Sequence, residues 1–247
     1  QRGCERILPW FRCVFPTNKM NAPNDQSTIV SAADAREFPP FSLKRLLGSV
    51  FTPTEGMKVC VLIDLENLHD VTDFAFLEDD SLAIQRKAYE VFYRGLHDGV
   101  MEALGMLGGE FYAYHISGGS NLDIRDEAVQ STGREVSLEK DVYPNYDIIL
   151  CISTFSATAP LTALAKQHHF RGATLHGLNE VIINSGLSVD YRDVSEDAEK
   201  LRLALTRADT IEIDFSIEDH GETTCRLDLG GQEAQKSHGL CHGLTPD

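Results

Sequence analysis

Two runs of strand length, VCVLIDL (59–65) and DIILCIS (147–153), stay apolar almost to their last residues. A half-exposed strand alternates apolar with polar side chains, whereas a strand apolar throughout is covered on both faces. A chain built around two such strands is restricted to a central, mostly parallel sheet with helices on both sides. The 247 residues are enough for one large domain, or for one domain and part of a second.

The remaining patterns fit that frame. FSLKRLLGSVF (41–51) places Leu43, Leu46 and Leu47 at helical spacing, and TPTEG after it is a turn. Residues 81–107 predict a long helix, with Ser81 as N-cap, Ile84, Ala88, Val91, Phe92 and Leu96 on one face, and a break at Gly95 or Gly99. The glycine pair 108–109 is expected to end it. EFYAYHI (110–116) and FRGATL (170–175) predict strands, LTALAKQHH a helix, HGLNEVIINSGL a loop with a short helix, and 189–208 a second strong helix. Residues 122–145 read as irregular. TIEIDFSI (210–217) and TTCRLDLGG (223–231) alternate with period two around DHGE, which predicts an antiparallel hairpin on a different, one-sided sheet.

The expected organisation is therefore three segments. Residues 1–40 form a disordered or non-native leader, since 1–19 find no partner pattern and Met20 opens a more ordinary start. Residues 41–208 form a doubly wound α/β domain. Residues 209–247 begin a second domain with antiparallel strands, truncated at GLCHGLTPD. No apolar run reaches the roughly 20 residues of a membrane helix, and the leader lacks the h-region of a signal peptide. A net charge of -16 disfavours nucleic-acid partners. The six cysteines are far apart with no CxxC pair, which points to a reducing, cytoplasmic setting.

Four patterns carry candidate chemistry. The turn STFSATAP (153–160) joins a buried strand to a helix, where doubly wound folds bind ligands. Its hydroxyls, Ser153, Thr154, Ser156 and Thr158, suit either a small anionic or substrate group at the helix N-terminus or the structural task of capping that helix. No GxGxxG, GKS/T or GxSxG accompanies them, so neither a nucleotide nor a serine nucleophile is indicated. The loop SGGSNLD (117–123) follows a strand and is either a ligand-approach loop or a tight connection. DLENLHD (64–70) gathers Asp64, Glu66, His69 and Asp70 at a strand end, and SHGLCHG gathers His238, Cys241 and His242. Both hold metal-ligand residue types, although acidic strand exits are common and the second group lacks a fourth ligand. His168 and His169 close a helix, where a cation suits the dipole.

From Leu150 onward the phrases STFSATAP, RGAT, VDY opening a helix and KL…LTRAD before a strand occur in the order seen in aminopeptidase T-like leucyl aminopeptidases. LLGSVFTPTEGMKVCVLIDL resembles that family's first helix, turn and strand, so the resemblance covers about residues 41–230. It implies the N-terminal portion of a two-domain, homodimeric metallopeptidase acting on peptides or a related small molecule. A divalent metal (zinc, cobalt or manganese) would activate water, with Glu, His and Asp ligands in the other domain, so no catalytic or metal residue is assigned to this chain. The turn lacks a histidine common in relatives, and AFLEDD (75–80) is not general to them. A related branch opens dihydroxypyridine rings with iron. A non-catalytic module holding a small anion at Ser153–Thr158 is the third expectation.

Overall fold

The computed structural model describes residues 11–14, 38–217 and 221–242. The described residues form two compact units, 38–191 with 239–242, and 11–14 with 192–238. Each is considered by itself.

The larger unit contains a six-stranded sheet in the order β5-β4-β3-β2-β6-β7. Its strands are β2 (Lys58–Leu65), β3 (Leu107–His115), β4 (Glu127–Gln130), β5 (Glu135–Ser137), β6 (Ile148–Ser153) and β7 (Arg171–His176). β2 runs parallel to β3 and β6, and β6 parallel to β7, while β4 and β5 add an antiparallel meander beyond β3. The continuous apolar runs are explained by two covered faces. Val59, Val61, Ile63, Leu150 and Ile152 face one core, packed with α1 (Leu43–Phe51) and the helical stretch after β2. Cys60, Leu62, Ile149 and Cys151 face the other, with Tyr112, Tyr114, Tyr143 and Leu161 of α4 (Thr158–His168). This is the α/β, mostly parallel architecture that the sequence predicts.

The helix after β2 departs from expectation in detail. It runs as α2 (Ala83–Lys87), π-type turns at Ala88–Tyr93 and Leu96–Val100, and α3 (Met101–Leu104). The break comes at Gly99, whose φ of 104° only glycine adopts without strain. Ser81 is not the N-cap. Its hydroxyl and N–H both donate to Asp79 Oδ1, and Leu82 takes the cap position without a side-chain bond. Residues 108–109 belong to β3, where the register against β2 shifts at Val59/Cys60. The segment 74–78 is structural: Phe76 stacks on Phe111, and Phe74 packs edge-on to both. Residues 122–145, expected to be irregular, form β4, β5 and helical turns over Leu138–Asn145.

After β7 the larger unit adds the short helix α5 (Glu180–Ile183), and the smaller unit holds α6 (Tyr191–Arg207), all but its first residue, and a three-stranded antiparallel sheet. The strand order is β1 (Phe11–Val14), β8 (Thr210–Ile217) and β9 (Gly221–Asp228). β8 and β9 pair antiparallel as their period-two pattern predicts, with Ile213 opposite Cys225. The strand β1 corrects the expectation of an unpartnered leader at that point: Phe11–Val14 ladders onto Ile213–Thr210, giving the open edge of β8 a partner. The rest of the expected leader lies outside the described residues, as does the hairpin tip at 218–220. The boundary expected after residue 208 falls instead at 191/192, and the chain returns to the larger unit at 239.

Candidate functional site

β2 leads to β3 on one side, and β6 lies on its other side, so strand order reverses at β2. The carboxyl end of β2 and β6 is thus the crevice where folds of this class bind ligands. Asp64 sits there, 1% exposed. Thr154 N–H donates to both of its oxygens at 2.9 Å, Gln85 Nε2 donates to Oδ1 at 2.7 Å, and Thr154 Oγ1 donates to the same oxygen at 3.2 Å. Gln85 Nε2 also lies 3.0 Å from Thr154 Oγ1. Burial raises the Asp64 carboxyl above its ordinary range, against the pull of these hydrogen bonds. Asp64 is thereby a structural anchor that fixes the start of the 153–160 turn. Gln85 had no sequence signal beyond being polar at a buried helical position.

The other hydroxyls of the turn also have partners within the protein. Ser153 Oγ donates to Phe155 O at 2.6 Å, and Thr158 Oγ1 lies 2.7 Å from Thr174 Oγ1. Ser156 Oγ donates to Asn121 Oδ1 at 3.3 Å and lies 3.0 Å from Thr158 Oγ1. Asn121 Oδ1 accepts the Ala159 N–H at 3.0 Å, and Asn121 N–H donates to Ser156 O at 2.6 Å. The loop 117–123 therefore docks on the turn and caps α4 from outside the helix. In this geometry Ser153, Thr154, Ser156 and Thr158 brace the turn.

A separate concavity opens beside β3, β4 and β5. It encloses about 590 Å³ and is lined by Glu66, His69, His115, Glu127, Glu135 and Asp141 with Asn67 and Ser137. His69 Nε2 lies 3.5 Å from Glu135 Oε1, an exposed pair. The DLENLHD cluster thus divides. Asp64 faces the turn, Glu66 and His69 face the groove, and Asp70 accepts from Asn67 Nδ2 at 2.7 Å. SHGLCHG divides too, because His238 is buried in the smaller unit while Cys241 and His242 bond to α1. Among the described residues no three His, Cys, Asp or Glu converge to hold one ion. No helix among the described residues is long and apolar enough to cross a membrane. Comparison with protein-family models, with curated proteins and with solved structures found no match.

Proposed function

We propose that this chain is the amino-terminal α/β part of a metal-dependent aminopeptidase-type hydrolase, forming one wall of its substrate cleft. One observation carries the reading: the phrases of the resemblance coincide with consecutive structural joints. STFSATAP is the braced turn from β6 into α4, RGAT begins β7, VDY is the entrance to α6, and LTRAD closes α6 ahead of β8. The acidic groove at the carboxyl edge of β2 and β3 supports the substrate class. A peptide with a free α-ammonium group is attracted by Glu66, Glu127, Glu135 and Asp141. In this reading the metal lies outside the described residues, and the residues here orient the substrate without touching the reacting bond.

The test is hydrolysis of leucyl anilides by protein expressed from the complete reading frame, with zinc, cobalt or manganese added in turn. Metal-dependent release of the aniline is the expected result. Absence of turnover with every ion overturns the reading, and oxygen uptake with hydroxylated aromatics would replace hydrolysis by ring cleavage.

A further inference from the structure

The last carbonyls of a helix have no N–H ahead of them within the helix. In α1 those of Ser49, Val50 and Phe51 are each met by a group distant in sequence. His242 Nε2 lies 2.9 Å from Ser49 O and 3.1 Å from Thr52 Oγ1. Cys241 N–H donates to Val50 O at 2.8 Å, and Arg171 Nη1 donates to Phe51 O at 2.5 Å. Arg171 Nη1 also donates to Cys241 O at 3.1 Å, so one buried guanidinium joins the helix end to the returning segment. Its positive charge sits at the negative end of the α1 dipole and 5.8 Å from the Phe51 ring centre. Cys241 Sγ reaches Gly172 O at 3.6 Å. Gly239 has φ +74° and lies so close to Tyr191 that an added Cβ would be 2.6 Å from the ring. Tyr191 is the last residue of the larger unit before the chain leaves it, and Gly239 is the first on its return.

We propose that residues 239–242 are a detachable clasp. They cap α1 from outside, and they close a unit whose sequence is interrupted by residues 192–238. The inference does not depend on the hydrolase reading. No side chain of the clasp is fully buried: Leu240 and Cys241 are half-buried and His242 is exposed. The clasp is held by these hydrogen bonds and by Cys241 lying partly buried against the rim of one core, while the sheet is held by two fully packed cores, so it opens locally at lower cost than the unit unfolds. Opening uncovers the Ser49 and Val50 carbonyls of α1 and the Cys241 thiol together, while Arg171 stays on Phe51 O.

The experiment uses the full chain, with hydrogen exchange at the Cys241 amide and N-ethylmaleimide labelling of thiols read by peptide mass spectrometry. In the unaltered protein the Cys241 amide is protected and its thiol labels more slowly than that of exposed Cys225. Gly239→Ala places a methyl against Tyr191 and raises both rates at Cys241 by roughly tenfold, with β2 and β6 amides unchanged. His242→Ala, which removes the imidazole from Ser49 O and leaves Gly239 and Tyr191 unaltered, moves both rates the same way by less. Equal labelling of Cys241 and Cys225 in the unaltered protein overturns the clasp. So does unchanged Cys241 exchange in both variants, or exchange that rises in step with β2 and β6.

Discussion

Asp64 is a buried carboxylate whose hydrogen-bond donors, Thr154 and Gln85, are all neutral, and its energetics follow from that. Asp64→Ala leaves the part-buried Thr154 N–H without its acceptor and takes from Gln85 Nε2 the shorter of its two bonds to residue 64, the main-chain carbonyl at 3.0 Å remaining, and is expected to cost about 2–3 kcal/mol in chemical denaturation. Asp64→Asn keeps an acceptor and separates charge from hydrogen bonding. Burial raises the folded carboxyl above its ordinary value of 3.8, so the folded state holds that proton more tightly than the unfolded chain. The stabilising contribution is complete below that value and is lost as pH climbs from there through the raised folded one. Denaturation midpoints across that window should fall with pH in the unaltered protein and be flatter in Asp64→Asn. Identical slopes would mean that Asp64 titrates as it does when unfolded. The buried thiols give a second residue-level outcome. Burial pushes the Cys151 thiol up to about 12 and raises Cys60 as well, so neither forms the reactive thiolate near neutral pH. Maleimide treatment of the native chain at pH 8 should leave both unmodified while labelling Cys225, and an adduct on Cys151 would contradict the packing.

At the level of elements, α4 depends on a cap it does not itself supply. Asn121, held at φ 61°, accepts both the Ala159 N–H and the Ser156 hydroxyl. Asn121→Ala removes that acceptor and strains the left-handed backbone, for an expected loss of about 1–2 kcal/mol in the denaturation free energy. A loss under a few tenths would show the loop to be incidental to the turn. The sequence pointed to the turn and to the loop separately, but not to their pairing, because a cap supplied from 38 residues away has no local signature. The long elements were legible for the opposite reason: β2, β6 and α6 follow from periodicity and burial alone. The β4–β5 meander was not. Its strands have four and three residues, with Val129 and Val136 almost their only apolar side chains and Ser-Thr-Gly between them. Those short strands form because β3 offers an open edge, and that edge is a property of the sheet. Cys241 and His242 looked like ligands by residue type, yet Cys241 caps α1 with its main-chain N–H and only His242 does so with its side chain.

For the whole molecule, charge is the widest constraint. The excess of acid, 38 Asp and Glu against 22 Lys and Arg, is spread along the chain, and only tertiary structure decides where it gathers. It gathers in the groove beside β4 and β5, where Glu127 comes from β4, Glu135 from the edge strand β5 and Glu66 from the end of β2. If the proposed wall of a peptidase cleft is right, those carboxylates act on the substrate before chemistry, through its ammonium group. Neutralising Glu127 and Glu135 together as Gln removes two solvent-exposed attractions, each worth about 0.5 kcal/mol at moderate salt. KM for a leucyl anilide should then rise about fivefold with kcat within a factor of two, and the difference should shrink as salt is raised. A matching drop in kcat would place these residues nearer the reacting bond than a cleft wall allows. An unchanged KM in an active, folded variant would mean that substrate approaches by another face, leaving the groove without a part in the reaction.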